Sequence, residues 1–342
     1  MQNKCPFFWI HYIFNVTLHL EMKYNTYILD NGLRIIHLPS DSQVVYCGYQ
    51  INAGTRNEEP GEEGLAHFCE HVTFKGTERR KAWHILNCLE SVGGDLNAYT
   101  NKEGTVYYSA ILKEHIARAV DLLSDIVFHS VYPQAEIDKE VEVICDEIES
   151  YNDSPAELIY DEFENILFKG SPLGHNILGT AEQVRAFKTE DALRFTRKLY
   201  RPDNAIFFAY GDIDFKKLVK LIGRAVADDE SDKLAEEDCH ADFADDADFS
   251  GDTRFSGVRD SEITQISQAP QMTQISGDEN PITTEKSVSS VKSMGPKKYP
   301  FVGKEIAGQT IVMQKNTHQA HVMIGTRAYD VNDDRRMPLY LL

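Results

Sequence analysis

The sequence has 342 residues, 42% of them hydrophobic, so it can form one large domain or two ordinary ones with a substantial core. Its formal net charge of −19 argues against a nucleic-acid partner, because contacts to phosphate need clustered Lys and Arg. No apolar run reaches the length of about 18 residues that a membrane-spanning helix needs, so no membrane span is predicted.

The six cysteines are scattered and include no C-x-x-C pair, which favours a reducing, cytoplasmic compartment over a disulfide framework. We predict that Cys69 and Cys145 are small buried side chains rather than metal ligands. Residues 1–21 are rich in apolar and aromatic residues but lack a small-residue cleavage site. Two interpretations stay open for them: a signal peptide of an exported protein, or an extension ahead of a natural start at Met22.

The first elements are predicted to be strands. Asn31-Gly32 is a strong two-residue turn signal between two apolar stretches, which predicts a hairpin over Tyr24–Pro39. A third strand is predicted over Val44–Ala53. After a helix near residues 64–76 and a second over Lys81–Val92, the runs 95–100 and 105–108 predict another hairpin.

Helices dominate the following stretch. Glu114–Phe128 carries its apolar residues on one face, as a helix packed on a core does. Strands first, then helices in groups, then a strand and a helix, indicate an α+β fold with helices packed on one face of a sheet. The further predicted helices are Glu136–Tyr151, 155–168, Thr189–Leu199 and Phe215–Val226, and a strand at Ala205–Tyr210 precedes the last.

Residues 228–298 differ in composition from the rest of the chain. They are rich in Asp, Glu, Ser, Gln, Thr and Gly, and residues 228–252 alone hold twelve acidic residues and one Lys. Few large apolar residues are available to pack, so we predict an acidic, loosely ordered linker. The predicted map is therefore an extension at 1–21, a domain at 22–227, the linker at 228–298 and a further piece at 299–342. In that last piece we predict strands at Thr310–Gln314 and His321–Thr326 and the start of a helix at Arg335–Leu342.

The stretch from Gly64 to Gly76 contains His67-x-x-Glu70-His71. In a helix the two histidines lie one turn apart on one face, where they could bind one metal ion, and Zn²⁺ is the usual partner of imidazole nitrogens. Glu70 lies beside them, close enough to reach a metal-bound water without being a ligand. A five-residue motif is a weak signal by itself, and the alternative is a surface helix with two solvated histidines.

A zinc site of this kind needs a third protein ligand. The helix Glu136–Tyr151 offers Glu140 and Glu147, which are seven residues apart and so share a face at the edge of the apolar stripe of Ile137 and Ile144. These carboxylates could be neutralised by a metal or could form a solvated acidic rim. Spacing alone leaves both interpretations open.

Together these residues resemble the pitrilysin/insulinase zinc metallopeptidases, a family that includes the mitochondrial processing peptidases. The family signature is H-x-x-E-H followed by a glutamate in a Glu-rich helix. The resemblance spans about residues 22–227. Outside the signature it includes Asn31-Gly32, Gly64-Leu65-Ala66, Phe74-Lys75-Gly76-Thr77, Gly93-Gly94-x-x-Asn97-Ala98 and Tyr200-Arg201-Pro202.

The resemblance implies a mostly antiparallel sheet with helices on one face, of the pitrilysin/processing-peptidase type. It implies one Zn²⁺ per chain, with His67, His71 and Glu147 as ligands. By the same resemblance Glu70 is the catalytic base, and Glu140 is the catalytic glutamate that supports the centre, for example by orienting His71.

The resemblance also assigns substrate contacts to Asn97 and Ala98, on an edge strand to which a peptide would add as a further strand. The alternative for Asn97 is an ordinary turn or strand-end residue.

The activity implied is that of a zinc-dependent metalloendopeptidase acting on peptides or unfolded polypeptides. The family pairs homologous domains, so we expect a second homologous domain or chain as partner and interpret residues 299–342 as the incomplete start of that domain. An Arg-Tyr pair of the family's second domain has no matching position in this sequence. Two alternatives remain: a zinc-binding but inactive fragment, and a non-catalytic assembly subunit.

Overall fold

A computed structural model describes residues 23–227 together with 311–312, 320–326, 328–329 and 333. The predicted extension at 1–21, the predicted linker at 228–298 and the predicted helix at Arg335–Leu342 lie outside the described residues.

The described part is built on one six-stranded sheet. Its spatial order is β1-β2-β6-β3-β5-β4, and of its strand pairs β2–β6 alone is parallel, which makes the sheet mostly antiparallel. In chain order the strands are β1 (Asn25–Ile28), β2 (Arg34–Pro39), β3 (Val44–Ile51), β4 (Asn97–Thr100), β5 (Thr105–Leu112) and β6 (Ala205–Gly211).

Eight α-helices accompany the sheet in the described residues. The predicted helices that fall within the described residues are all present, with ends shifted by a few residues. The short helix α6 was not predicted, because its six residues are too few for a helical period to show. The helices are α1 (Leu65–Thr73), α2 (Ala82–Glu90), α3 (Ile116–Phe128), α4 (Gln134–Asn152), α5 (Pro155–Leu167), α6 (Ala181–Ala186), α7 (Thr189–Leu199) and α8 (Phe215–Ala225).

The core lies between the helices and one face of the sheet. Along β3, Val45, Cys47, Tyr49 and Ile51 are fully buried while Tyr46, on the opposite face, is half exposed. This alternation follows from the two-residue period of a strand and confirms the predicted fold class, α+β with helices on one sheet face.

Cys69 and Cys145 are buried free thiols, as predicted. Within the described ranges no helix has the combination of length and apolar character that crossing a bilayer requires.

The first hairpin differs from its prediction at the turn. Leu29 and Leu33 are joined by a backbone hydrogen bond, so three residues form the loop, and Gly32, with φ 88°, donates to the carbonyl of Leu29. This arrangement is a tight turn followed by a left-handed glycine bulge rather than a two-residue turn. Gly32 therefore supplies the positive φ, as the sequence indicated, at a different position in the loop.

The predicted strand at His321–Thr326 is wrong, because all six residues lack regular structure. Val322 and Ile324 are 80% and 92% exposed, so the alternating apolar pattern is not buried against a sheet in the part of the chain that is described. A strand needs a paired neighbour to be stable, and none of the described residues pairs with this segment. Of the predicted strand Thr310–Gln314 only Ile311 and Val312 are described, and they too lack regular structure.

Candidate metal centre

Helix α1 carries the histidine motif, and hydrogen bonds to a carboxylate hold its first residues in place. Gly64 precedes it with φ 96°, and the backbone N–H groups of Gly64 and Ala66 donate to the Glu58 carboxylate over 3.2 and 2.8 Å. Glu58 thereby satisfies two of the free N–H groups that every helix start exposes, and its negative charge lies at the positive end of the helix dipole. Leu65 and Phe68 are fully buried, which fixes the rotation of α1 about its axis.

The two histidines and one glutamate of α4 converge on one point. The Nε2 atoms of His67 and His71 are 3.2 Å apart. Oε2 of Glu147 lies 3.2 Å from Nε2 of His71 and 3.7 Å from Nε2 of His67. The three residues form a group whose ligand atoms all lie within 4.8 Å of one another. The sequence separates Glu147 from the histidines, and the packing of α4 against α1 brings them together.

The spacing of these donor atoms suits a tetrahedral zinc ion. Bonds of about 2.0–2.1 Å in a tetrahedron place neighbouring ligand atoms about 3.3–3.4 Å apart, and the three observed separations lie on either side of that value. Nδ1 of His67 is buried and has no hydrogen-bond partner among the described residues, so no acceptor there dictates which of its nitrogens is protonated. Two imidazoles and a carboxylate are the mixed N and O donor set that zinc accepts.

The burial of the histidines argues against a solvated surface helix. His67 is 7% exposed, and burial together with the neighbouring charge of His71 lowers its pKa to about 3 although Glu147 acts in the opposite direction. Burial also disfavours the charge on His71, but hydrogen bonds to Glu140 and Glu147 outweigh burial and raise the pKa of His71 to about 9. The metal-free centre therefore holds one positive charge, on His71, at the point where the three donors meet.

Glu140 lies behind His71. Its Oε1 accepts a hydrogen bond from Nδ1 of His71 over 3.0 Å, which leaves Nε2 of the same ring facing the other two groups. Oε2 of Glu140 pairs with Nζ of Lys75 at 2.6 Å. Burial raises the pKa of Glu140, but the bonds from His71 and Lys75 outweigh it and keep the carboxyl below its usual pKa. A solvated acidic rim does not describe Glu140, whose side chain is 12% exposed, whereas the side chain of Glu147 is 43% exposed.

Glu70 is buried on the same helix and is not one of the three converging groups. Its Oε2 accepts a hydrogen bond of 2.5 Å from the Thr100 hydroxyl at the end of β4. Burial is the largest influence on this carboxyl and raises its pKa, while the charge of His71 and the bond from Thr100 lower it. A buried glutamate with a raised pKa beside a metal centre suits proton transfer near neutral pH.

Asn97 and Ala98 lie on β4 at the edge of the sheet. They are opposite Tyr108 and Tyr107 of β5, and within the described residues the other side of β4 has no strand partner. Asn97 donates through Nδ2 to Asp95 across 3.3 Å and is partly exposed. Both predicted substrate contacts thus lie on an edge strand whose outer side is open among the described residues, and the same strand holds Glu70 through Thr100.

Sequence reasoning gave no role to Lys75, Thr100 or Glu58, although Lys75 lies in the family-like stretch Phe74-Lys75-Gly76-Thr77. Lys75 follows His71 by four residues, a helical spacing that could have indicated it. Thr100 and Glu58 gave no comparable signal, because their contacts with α1 depend on how a strand and a loop pack against the helix.

Comparisons with known proteins find similar sequences and folds. The sequence model described as "Insulinase (Peptidase family M16)" matches residues 35–181, and the one described as "Peptidase M16 inactive domain" matches residues 186–342. An uncharacterized zinc protease of Rickettsia bellii is 40% identical over 203 residues, covering 59% of this chain and 49% of the relative. The mitochondrial-processing peptidase subunit beta of Saccharomyces cerevisiae is 38% identical over 194 residues, covering 56% of this chain and 42% of the relative.

Solved structures give the same result. A protease from Helicobacter pylori superposes with a TM-score of 0.57 at 25% identity, covering 60% of this chain and 50% of that one. The periplasmic protease PqqL from Escherichia coli superposes with a TM-score of 0.57 at 27% identity, covering 61% of this chain and 24% of that one. The chain spans about half the length of the curated relatives it matches. Because two sequence models of this family match, and the histidine motif and the fold are consistent with them, the chain belongs to the insulinase family of peptidases, peptidase family M16.

Proposed function

We propose that this chain is a zinc-dependent metalloendopeptidase that hydrolyses peptides or unfolded polypeptides. The observation that carries the proposal is the convergence of His67 Nε2, His71 Nε2 and Glu147 Oε2, at spacings that suit zinc, beside a buried glutamate outside that group. In this proposal the three residues hold one Zn²⁺ per chain. The names of relatives as zinc proteases support the choice of metal.

The residues around the ligands have separate tasks in the proposed reaction. Zinc, when bound, polarises a peptide carbonyl and makes a water molecule more acidic. Glu70 acts as the base and accepts the proton of the attacking water at Oε1, the oxygen that Thr100 does not hold, and then returns it to the leaving amine. Glu140 keeps His71 in the tautomer that presents Nε2 to the centre.

The edge strand β4 is proposed to bind the substrate. An extended peptide can add to an unpaired strand edge through backbone hydrogen bonds, with side-chain pockets supplying specificity. Asn97 and Ala98 would contact the peptide there. Thr100 lies on the same strand and holds Glu70, so a peptide added to β4 would lie next to the base.

A second homologous domain, on this chain or another, is proposed to complete the chamber. The side chain of Glu147 is 43% exposed, so the centre is open on one side. The match of residues 186–342 to the inactive-domain sequence model supports a paired arrangement. A second candidate function, zinc binding without turnover by this chain alone, is favoured by the same exposure.

The test measures zinc content and peptide cleavage on the same samples. The parent chain should hold about one zinc by mass spectrometry, and Glu147→Gln should lose it. Cleavage of a quenched peptide by the parent, alone or mixed with a separately produced second domain, would support the peptidase. Zinc without cleavage in both mixtures would leave the zinc-binding alternative, and full zinc retention by Glu147→Gln would remove Glu147 from the ligands.

A further inference from the structure

The carboxylate of Glu140 is divided between two hydrogen-bond donors. Its Oε1 is 3.0 Å from Nδ1 of His71, and its Oε2 is 2.6 Å from Nζ of Lys75. The side chains of Glu140 and Lys75 are 12% and 24% exposed, so this pair is largely removed from water. A short ion pair in such surroundings is screened much less than one on the surface.

The backbone on both sides of Lys75 is held in place. Its own N–H donates to the carbonyl of Val72 at the end of α1, and the carbonyl of Gly76 accepts a bond from Val131, each over 3.1 Å. Gly76 also forms a bridge with Lys81. The backbone of Lys75 is therefore fixed by hydrogen bonds, and its side chain reaches Glu140 from this fixed position.

The charges around the centre make Lys75 distinctive. Glu70, Glu140 and Glu147 together carry three negative charges when ionised, one more than a divalent ion neutralises. Among the described residues, Lys75 is the one Lys or Arg that forms an ion pair with any of these three carboxylates. With its charge included, the ion, the carboxylates and the lysine sum to zero, which lowers the cost of keeping them out of water.

We propose that Lys75 is a positioning residue of the metal centre. It holds Oε2 of Glu140, so that Oε1 stays on Nδ1 of His71 and the His71 ring keeps Nε2 on the metal. Without Lys75, Glu140 is free to rotate about its terminal bond, and His71 loses the partner that fixes its tautomer and ring plane. This inference rests on the metal site of the proposed function and does not depend on peptide hydrolysis.

The experiment measures the zinc dissociation constant by competition with a chromogenic chelator, which needs no enzymatic activity. Lys75→Met removes the charge but keeps the length of the side chain, and it should weaken zinc binding about tenfold to a hundredfold, as the loss of a partner behind a ligand does. Lys75→Arg restores a cation and should recover most of the affinity. Lys139→Met is the matched control, because Lys139 lies on α4, is 71% exposed and pairs with Glu136 away from the centre.

A second comparison separates positioning from a general effect on the fold. Because Lys75 acts through Glu140, Lys75→Met should add little further loss, less than about threefold, when Glu140 is already Gln. If Lys75 only stabilised the fold, Lys75→Met would weaken zinc binding by the same factor in the parent and in Glu140→Gln. Circular dichroism and thermal unfolding of the chelator-treated variants monitor the fold. If Lys75→Met does not fold, Lys75→Gln takes its place, since it removes the charge and keeps a hydrogen-bond donor.

Three results would overturn the proposal: zinc affinity of a folded Lys75→Met within about threefold of the parent, equal losses in both backgrounds, or an equal loss in Lys139→Met. A parent chain that binds no zinc would overturn the metal site itself, and this outcome is recognised before any variant is made.

Discussion

The Thr100 hydroxyl donates to Oε2 of Glu70 across 2.5 Å and thereby joins the edge strand β4 to the helix that carries the histidines. The two residues are 30 positions apart in the sequence, and the contact arises where β4 packs against α1. One oxygen of Glu70 is occupied by this bond, and the other has no hydrogen-bond partner among the described residues. The orientation of the proposed base is therefore set by the strand to which a substrate is proposed to add.

We expect Thr100→Val to slow cleavage by about tenfold while zinc stays bound, because a base must lie within hydrogen-bond reach of the proton it takes. The Thr100 bond lowers the pKa of Glu70, so its loss should raise that pKa and move the acidic limb of the kcat/KM profile to higher pH. Thr100→Ser keeps the hydroxyl and should behave as the parent. An unchanged pH profile in a slow Thr100→Val enzyme would contradict this assignment.

Glu70→Gln separates proton transfer from metal binding. Glu70 is not among the converging donors, so the variant should keep zinc and lose the base, a contribution of about 10²–10⁴-fold in rate. The measurement follows cleavage of a quenched peptide and zinc content together, on a preparation that includes a second domain. Full-speed cleavage with zinc in place would exclude Glu70 as the base, and loss of zinc would make it a ligand.

Two glycines ahead of α1 have nearly the same φ but different surroundings. Gly64 has φ 96°, and a Cβ there would lie 2.6 Å from the carbonyl oxygen of Leu178, whereas Gly61 has φ 95° and nothing within 4 Å. Gly61→Ala should cost about 1–2 kcal/mol of unfolding free energy from the left-handed backbone alone. Gly64→Ala should cost at least about 1 kcal/mol more, because the helix start or the Leu178 segment must shift.

Zinc affinity is the second measurement on the Gly61→Ala and Gly64→Ala variants. Gly64 begins the helix that holds both histidines, so Gly64→Ala should also weaken zinc binding, while Gly61→Ala should not. Equal losses of stability and equal zinc affinities in the two variants would show that the close approach of Leu178 does not set the position of α1.

The paired histidines could be predicted because their signal is local: His67 and His71 are spaced by one helical turn. Spacing left the roles of Glu140 and Glu147 open, and the resemblance to the peptidase family, rather than the helix face, named Glu147 as the proposed third ligand. The parallel pairing of β2 with β6 could not be predicted in this way, because Arg34 and Ile206 lie opposite each other across more than half of the chain. The predicted strand at 321–326 is wrong although its local pattern is clear. A period-two pattern indicates which residues a strand would bury, and it does not show whether a partner strand is present.

A buried ion-pair cluster joins the segment after α1 to helix α3. Asp125 is fully buried and accepts hydrogen bonds from Arg80 Nη1 at 2.5 Å, Thr77 at 2.8 Å and Arg79 Nε at 3.3 Å. Removing one member of a buried pair leaves the other charge uncompensated, so Asp125→Ala should cost about 3–5 kcal/mol. Urea unfolding followed by circular dichroism would measure this loss.

The control for that prediction is Glu142→Ala. Glu142 pairs with Arg185 on the surface, where the two side chains are 65% and 52% exposed, so its loss should leave the urea midpoint unchanged. Comparable midpoint shifts in Asp125→Ala and Glu142→Ala would mean that burial does not distinguish the two pairs.

The metal-free centre should make stability depend on pH in two separate windows. Burial and the charge of His71 lower the pKa of His67 to about 3, against 6.5 in the unfolded chain. Between those values the unfolded chain binds the extra proton, so the contribution of His67 to the unfolding free energy rises with pH and is complete above about pH 6.5. For His71 burial is outweighed by Glu140 and Glu147, and its pKa is raised to about 9.

The sign for His71 is the opposite. Between pH 6.5 and about 9 the folded chain holds a proton that the unfolded chain has lost, so stability should fall by up to about 1.4 kcal/mol per pH unit. Chelator-treated protein should therefore be most stable near pH 6.5 in urea titrations across pH 5–10. His71→Gln should lack the alkaline fall, and zinc-loaded protein should lack it too, because zinc then takes the position of the proton. An alkaline fall that persists unchanged in His71→Gln would assign it to other groups and remove the charged His71 from the account of the metal-free centre.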